Sequence, residues 1–239
     1  KDDEFAHMLA KHMSKGLSFF VYQSESADSL ASCCRLRNEL ADNTFSYTLG
    51  AGGVSTGSVQ VITINMNRFI QKHNKGDYAF IDLIKRVQKY LMAHRAVIKD
   101  YLKAGLLPAY SAGFISLDKQ FCTIGINGML EGMEYLKVDP VAEPEKYIKT
   151  VGSFLNQIYT LNKEAYKDYK VRFNTEFVPA ENLGVKNAQW DKADGITSKR
   201  DCYNSYFYPV ENDNMTILDR LKLHGKEMVK YLDGGSACH

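Results

Sequence analysis

The chain has 239 residues, 45% of them hydrophobic, which is enough apolar material for one sizeable core. Thirty Lys and Arg residues balance 28 Asp and Glu residues, so the net charge of +2 creates no strong field that would favour nucleic acid or a membrane surface. The longest apolar runs fall short of the about 20 residues of a membrane-spanning helix, and no signal peptide is recognisable. These features predict a soluble, cytoplasmic protein that binds neither nucleic acid nor membrane.

Strand-like apolar runs alternate with long amphipathic segments along the chain. The first strand candidates are 18–23 and 59–65, and the second is an almost continuous Val/Ile run, as expected for a strand buried on both faces. The spacing of apolar residues then predicts a helix over 77–104, which Gly105 and Pro108 would end.

The same alternation continues through the second half of the chain. Residues 121–127 are predicted to form a strand, a short helix follows over 129–136, and Pro144 opens a second long helix. The last strand candidates are 171–179 and 203–210. Strands separated by crossover helices pair in parallel, so we predict an α/β fold. The first four strand candidates should be neighbours in one sheet, with the two long helices packed outside it.

Five cysteines are present: Cys33, Cys34, Cys122, Cys202 and Cys238. An odd number that includes two adjacent residues argues against a disulfide scaffold. The sequence has neither a CxxC nor an HxxxH spacing, so it predicts no local metal site. The adjacent pair lies in the segment SLASCCRLR, where the thiols are either small core residues or chemically active groups.

Binding sites in parallel α/β folds gather at the carboxyl ends of strands. Three segments occupy such positions in the predicted order: SLASCCRLR (29–37), INGMLEG (126–132) and PAENLG (179–184). A glycine-rich run, YTLGAGGVSTGS (47–58), lies at the opposite end of a strand and lacks the residue order of a P-loop. We interpret it as a flexible loop whose glycines adopt positive φ.

Six long motifs, in order, resemble segments of anaerobic (class III) ribonucleoside-triphosphate reductases: SLASCCRLRNEL, FSYTLGAGGVSTGSVQVITINMNRF, TIGINGMLEGMEYL, PAENLGVKNAQWDKADG, RDCYNSYFYPV and LKLHGKEMVKYLDGGSA. The resemblance implies a ten-stranded β/α barrel made of two five-stranded halves, with a finger loop between them. The chain would be one fragment of that barrel. Residues 1–58 would hold a strand, the finger loop and the glycine-rich loop, and residues 59–239 the second half-barrel.

The resemblance also implies radical chemistry at the cysteine pair. Cys34, which precedes an arginine, matches the family residue that becomes a thiyl radical. Cys33 remains an alternative, because the register within a doublet is ambiguous. A thiyl radical removes a hydrogen atom from ribose C3′, so the resting group should be a protonated thiol that is shielded from water.

The segment PAENLG has two functional interpretations in such an enzyme. Glu181 would exchange protons with the ribose hydroxyls as the 2′-oxygen leaves as water. Alternatively, the segment starts a helix whose free N–H groups hold the substrate phosphates, with Ala180 and Asn182 as the substrate-binding residues. Asn127 and Gly128, after the third strand, are weaker candidates for substrate contact.

The family has parts that are not found in these residues. A glycyl radical and a structural zinc site of four cysteines would lie beyond the C-terminal residues, and the half-barrel with the effector-nucleotide surface would precede Lys1. We therefore expect a fragment that is inactive alone and belongs to a homodimer served by a radical-SAM activating enzyme. Gly57 and Ser58 lie near the point where formate-using members carry asparagine, which favours a thioredoxin-like reductant.

Two other functions remain open at this level. Adjacent cysteines also suit a formate-lyase type of glycyl radical enzyme that acts on a 2-keto acid. A non-catalytic α/β interaction module would have the same alternation of strands and helices. An adjacent gene for a radical-SAM activase would favour either radical enzyme over the interaction module.

Overall fold

The computed structural model describes residues 2–17, 19, 29–31, 37–39, 57–73, 77–177 and 180–238. The cysteine pair Cys33–Cys34 lies outside the described residues, and so does the strand predicted over 18–23, apart from Phe19. Of the glycine-rich run, only Gly57 and Ser58 are described.

The described residues form the following elements in chain order: α1 (Asp2–Met13), β1 (Ser29–Ala31), β2 (Arg37–Glu39), β3 (Ser58–Asn65), α2 (Met66–Lys72), α3 (Asp77–Lys103), α4 (Pro108–Ser111), a 3-10 helix (Leu117–Lys119), β4 (Phe121–Asn127), α5 (Met129–Tyr135), α6 (Pro144–Tyr169), β5 (Phe173–Phe177), α7 (Glu181–Ala193), α8 (Ile217–Leu223), α9 (Lys226–Val229) and β6 (Gly235–Ser236). Strands β1 and β2 pair antiparallel. The other four strands form a parallel sheet in the order β3-β4-β5-β6. The predicted α/β fold with a parallel sheet is therefore confirmed.

The two long helices cover one face of this sheet. Helix α3 packs against β3 and β4, and α6 packs against β5 and against α3. On α3, the apolar residues Phe80, Ile84, Val87 and Leu91 are buried. The Phe80 ring meets Phe154 of α6 edge to face, with ring centroids 5.2 Å apart. Pro144 occupies the first turn of α6, where a missing backbone N–H costs nothing. The predicted placement of both helices outside the sheet is confirmed.

A chain of buried amides fixes how the helices lie on the sheet. The Gln88 side chain of α3 donates to Asn162 of α6 at 2.9 Å, and the Asn162 amide donates to the Thr175 hydroxyl of β5 at 3.1 Å. All three side chains are buried, so a shifted packing would leave polar groups unsatisfied. The odd-numbered residues of β5 near Thr175 therefore face the helices.

The predicted strand over 203–210 is wrong. This segment is irregular, although Tyr203, Phe207 and Tyr208 are buried as they would be in a strand. Its backbone groups bond elsewhere: the Tyr203 N–H donates to the Gly184 carbonyl at 3.1 Å, and the Asn204 N–H donates to the Glu131 carboxylate at 2.9 Å. The partners of these two N–H groups lie on helices α7 and α5 and not on a neighbouring strand. The aromatic side chains therefore fill the core from a loop.

Arg200 fastens the start of this loop to α5. Its guanidinium donates to both Glu134 oxygens, at 2.7 and 3.0 Å, and bonds Glu211 at the other end of the loop at 2.6 Å. The Arg200 side chain is only 15% exposed, so its charge-assisted bonds to Glu134 are partly shielded from water.

Within the described ranges, no helix is both long enough and apolar enough to cross a membrane.

Candidate active site

The carboxyl ends of β3 and β4 carry two asparagines side by side. Asn65 and Asn127 are register partners in the parallel ladder. Helix α7 passes over both strand ends: Asn187 donates to the Asn127 side-chain oxygen at 2.9 Å, and Asp191 accepts from the Asn65 amide at 3.1 Å. Helix α7 therefore covers the ends of β3 and β4 at the carboxyl edge of the sheet, which is the edge where the sequence predicts the binding site.

Asp191 of α7 is the centre of a buried polar network at this edge of the sheet. Its carboxylate is fully buried and accepts hydrogen bonds from the Asn67 amide at 3.3 Å, the Tyr203 hydroxyl at 2.7 Å and Nε of Arg68 at 2.6 Å. Asn65 also caps α2, because its side-chain oxygen accepts from the Arg68 N–H at 3.0 Å. The network connects α2, α7 and the irregular segment 203–210, which we call the aromatic loop.

Asn127 and Gly128 belong to the same support. Asn127 is fully buried, and its amide donates to the carbonyls of Tyr203 and Asn204 and to the Ser205 hydroxyl, at 3.2 to 3.4 Å. Gly128 has φ of 72°, and a Cβ there would lie 3.0 Å from the Tyr203 ring. The predicted substrate contact of Asn127 and Gly128 stays a prediction, but both ends of the Asn127 amide are engaged within the protein.

The segment PAENLG does start a helix, since α7 begins at Glu181. Ala180 is the N-cap residue and provides no side-chain cap, so the first-turn N–H groups of α7 are left for other partners. Asn182 is exposed in that first turn. The Glu181 side chain lies outside the described part of the chain, and its proposed proton exchange stays a prediction.

Glycine is required at position 184, one turn into α7. A Cβ there would lie 2.7 Å from the Tyr203 carbonyl oxygen and 3.0 Å from Sγ of Cys202. The Gly184 carbonyl in turn accepts the Tyr203 N–H at 3.1 Å. The aromatic loop can therefore approach α7 only because position 184 has no side chain.

We predict that Gly184→Ala destabilises the full-length protein by about 1 to 3 kcal/mol, since the added methyl group overpacks a rigid backbone contact. Gly152→Ala on α6 is the matched control, because a Cβ there meets only the Tyr231 ring at 3.9 Å. Alanine favours a helix over glycine, so the control should be neutral or more stable by up to about 1 kcal/mol. Thermal denaturation of both variants checks this. Equal melting temperatures would contradict the proposed close contact.

The sheet face opposite α3 and α6 carries a second set of polar groups. The Thr123 hydroxyl bonds both the Ser58 hydroxyl, at 2.6 Å, and the Asn174 side-chain oxygen, at 2.7 Å, so these three side chains share that face. Side chains two positions further along a strand point the same way. Gly125 and Glu176, which are register partners, therefore lie on this face too.

Glu176 is the carboxylate of this face. Glu176 is only 8% exposed, and burial raises the pKa of its carboxyl to about 7. Among the residues that the structure describes, none hydrogen-bonds or ion-pairs with this carboxyl. A carboxyl with this pKa is present in both protonation states near neutral pH, as a proton-transfer group should be.

The sequence motifs do not point to Glu176. The residue lies inside the strand candidate 171–179. A signal was present, because a glutamate inside a buried strand is rare unless it is paired or functional. The carboxylate chosen from the sequence, Glu181, lies on the helix that follows.

The cysteine pair lies between strands β1 and β2. These strands pair from Ser29 with Glu39 to Ala31 with Arg37, and Cys33 and Cys34 are outside the described residues. The predicted finger loop and thiyl position stay predictions. Cys122 is fully buried in the core of β4, and burial raises its thiol pKa to about 11, as for a structural cysteine.

Comparison with known proteins gives one consistent family. The family model described as "Anaerobic ribonucleoside-triphosphate reductase" matches residues 1–239. A crystal structure of the anaerobic ribonucleotide reductase from Thermotoga maritima in complex with dATP and CTP is 29% identical with a TM-score of 0.70, over 76% of this chain and 32% of that chain. A structure of the same enzyme with glycerol in the active site is 27% identical with a TM-score of 0.70, over 83% of this chain and 34% of that chain.

The relatives are much longer than this chain, which spans about a third of their length. No curated protein matches the chain. In the described ranges, no three His, Cys, Asp or Glu side chains come together as a metal ion would require.

Proposed function

This chain belongs to the anaerobic ribonucleoside-triphosphate reductase family, and we propose that it is part of a catalytic subunit that reduces ribonucleoside triphosphates to deoxyribonucleoside triphosphates. The observation that carries the proposal is the family match over residues 1–239, supported by 29% identity and a TM-score of 0.70 to a solved anaerobic ribonucleotide reductase. We further propose that the sheet is part of the second half of a ten-stranded barrel, with the finger loop in residues 1–58.

In this proposal, the Cys34 thiol is the group that exchanges a hydrogen atom with the substrate. Its thiyl form takes the hydrogen from ribose C3′, which leaves an S–H bond on the protein and an unpaired electron on the sugar. The 2′-oxygen then leaves as water, after it has gained a proton. Two electrons from an external reductant complete the reduction, and a thioredoxin-like dithiol is the proposed donor. Cys33 is the alternative position for the radical.

Two carboxylates are available for the proton steps. Glu176 is the better supported, because it is buried on the sheet face that would line the barrel and its pKa is raised to about 7. Glu181 remains the second candidate. The uncapped first turn of α7, at Ala180 and Asn182, is the proposed binding site for the substrate phosphates, since helix N-termini favour anions.

The family implies groups that we assign to other parts of the full-length protein. A glycyl radical would supply the oxidising equivalent for the cysteine, and an activating enzyme of the radical-SAM class would generate it. The structural zinc does not fit the described residues, because they contain no cluster of ligands. Nucleotide effectors, a homodimeric assembly and a cytoplasmic location complete the proposal.

The test is an anaerobic assay of the full-length protein, together with its activase, against two substrates. We expect ribonucleoside triphosphates to yield deoxyribonucleoside triphosphates, and pyruvate with coenzyme A to yield no acetyl-coenzyme A. Acyl transfer without nucleotide reduction would instead indicate a formate-lyase type of enzyme. No glycyl-radical signal after treatment with the activase, together with no turnover of either substrate, would favour a non-catalytic interaction module.

A further inference from the structure

Helix α7 is attached to the rest of the protein along a polar stripe on one face, formed by Gly184, Asn187 and Asp191. Their i, i+3, i+7 spacing places the three residues on one side of a helix, and all three are buried. Among the described residues of α7, Ala188 is the only buried residue with an apolar side chain. Hydrogen bonds therefore have the part in holding this helix that an apolar stripe has in most surface helices.

Each residue of this stripe bonds a different part of the fold. The Gly184 carbonyl accepts the Tyr203 N–H at 3.1 Å, and the Asn187 amide donates to the Asn127 side-chain oxygen at 2.9 Å. Asp191, at the other end of the stripe, is held by side chains of β3, α2 and the aromatic loop. Because hydrogen bonds are directional, three such anchors fix the direction of the helix axis as well as its position.

Asp191 uses the full accepting capacity of a carboxylate. Its Oδ2 accepts from the Asn65 and Asn67 amides, at 3.1 and 3.3 Å, and from the Tyr203 hydroxyl at 2.7 Å. Its Oδ1 accepts from Nε of Arg68 at 2.6 Å. An asparagine accepts through one oxygen only, and its NH₂ group would face a donor. Only a carboxylate at this position can therefore bond all four partners.

Asp191 lies where a carboxylate does not favour the helix itself. Helix α7 ends at Ala193, and the last turn of a helix carries partial negative charge. Arg68 offsets this repulsion, since its guanidinium also pairs with Asp194 at 2.5 Å. The stability of α7 as a helix does not explain a buried carboxylate at this end. Its contribution is to the orientation of α7, as for buried polar groups that specify one packing arrangement.

The distance between the anchors sets how precisely α7 is oriented. Gly184 and Asp191 are about 10 Å apart along the helix axis, whereas Gly184 and Asn187 are about 4.5 Å apart. Without the Asp191 anchor, the same slack at the remaining two anchors tilts the helix roughly twice as far. The first turn of α7 moves with this tilt. A misplacement of about 1 Å in groups that position a substrate can cost about 10²-fold in rate.

We propose that Asp191 is a positioning residue for the substrate triphosphate: its four hydrogen bonds set the direction of α7 and thereby aim the N–H groups of the first turn at the phosphates. Asp191 acts through the helix, because its carboxylate is fully buried and bonds only protein groups. This inference rests on the proposed function, which assigns the phosphates to the first turn of α7. It adds the residue that holds this turn in place from the opposite end of the helix.

The test measures how two parts of CTP inhibit the reduction of CTP by the full-length, activated protein. Inorganic triphosphate probes the phosphate contacts, and cytidine probes the rest of the substrate site. In Asp191→Asn, the inhibition constant of inorganic triphosphate should rise by about tenfold, the effect of losing one charge-assisted hydrogen bond, while that of cytidine should change by less than about twofold. The KM for CTP should rise by a larger factor than kcat falls.

Two further variants separate orientation from general stability. Tyr203→Phe removes one of the four donors to Asp191, so it should raise the triphosphate constant by a smaller factor. It decides the question if Asp191→Asn does not fold. Gln88→Ala is the structural control, since it breaks a buried amide pair with Asn162 between α3 and α6. It should lower the melting temperature and leave both inhibition constants unchanged.

Equal changes in the two inhibition constants of Asp191→Asn, or no change in either, would overturn the proposal. A general loss of stability affects both probes alike, whereas a misdirected α7 weakens only the phosphate contacts. A wild type that reduces CTP but is not inhibited by inorganic triphosphate would overturn it too, because α7 would then have no phosphates to align. Failure of the proposed function looks different, because the wild type itself would not reduce CTP.

Discussion

Cys34→Ser should abolish the reduction of ribonucleoside triphosphates by the full-length protein while glycyl-radical formation by the activase continues at the parental level. The serine O–H bond is too strong for a glycyl radical to convert it to an oxygen radical, so the hydrogen-atom exchange with C3′ has no carrier. Electron paramagnetic resonance measures the glycyl radical, and chromatography of the products measures the deoxynucleotides. Loss of product together with a normal radical signal is the expected result.

Cys33→Ser is the matched control, because it makes the same chemical change one residue away. It should retain nucleotide reduction and alter at most the stability, by about 1 to 3 kcal/mol if the thiol is buried. An active Cys34→Ser with an inactive Cys33→Ser would move the radical to Cys33. Activity in both variants would show that the doublet is structural and that the radical forms on another residue.

Glu176→Gln should lower nucleotide reduction by about 10²- to 10⁴-fold, the usual contribution of a general acid or base. Burial raises the pKa of this carboxyl to about 7, so the wild-type rate should change with pH around neutrality. The variant cannot gain or lose that proton, and its residual rate should be independent of this ionisation. Rates measured from pH 6 to 8.5 check both effects.

Glu176→Gln should make the folded protein more stable at alkaline pH, although it lowers the rate of nucleotide reduction. The pKa is raised above the ordinary value of 4.5, so the folded protein holds a proton that the unfolded chain releases between pH 4.5 and about 7. The stabilising effect of this bound proton is complete below pH 4.5 and is lost as the pH rises through 7. At pH 8 the free energy of unfolding of Glu176→Gln should therefore exceed that of the wild type by on the order of 3 kcal/mol, and at pH 4.5 the two should be equal. Denaturant unfolding at both pH values measures this difference.

Glu131→Gln is the control for these effects. Burial raises the pKa of Glu131 to about 7 as well, but this carboxylate accepts a hydrogen bond from the Asn204 N–H and lies 3.5 Å from the Arg200 guanidinium. It should keep the pH dependence of the rate. If Glu176→Gln were to turn over substrate as fast as Glu131→Gln, Glu176 would have no role in proton transfer.

Local sequence pattern was sufficient for the elements that are long or continuously apolar. The helix predicted over 77–104 is observed as Asp77–Lys103, and the strand predicted over 121–127 has those bounds. Helix α2 was not predicted, and its start depends on the Asn65 side chain as a cap. The error at 203–210 has a different origin, since aromatic residues favour strands only where a neighbouring strand offers hydrogen bonds.

The sequence by itself determined the family and the parallel α/β fold, because long motifs and the alternation of strands and helices can be recognised along the chain. Only the tertiary structure decided that Glu176 shares a sheet face with Gly125 and Thr63. The same holds for Asn127, whose side-chain amide donates a hydrogen bond to the Tyr203 carbonyl in the loop that follows Arg200. The reason is physical: which side chains meet depends on the register between strands that are far apart in the chain. A shift of one residue would turn Glu176 toward the helices and the apolar side chains of β5 away from them.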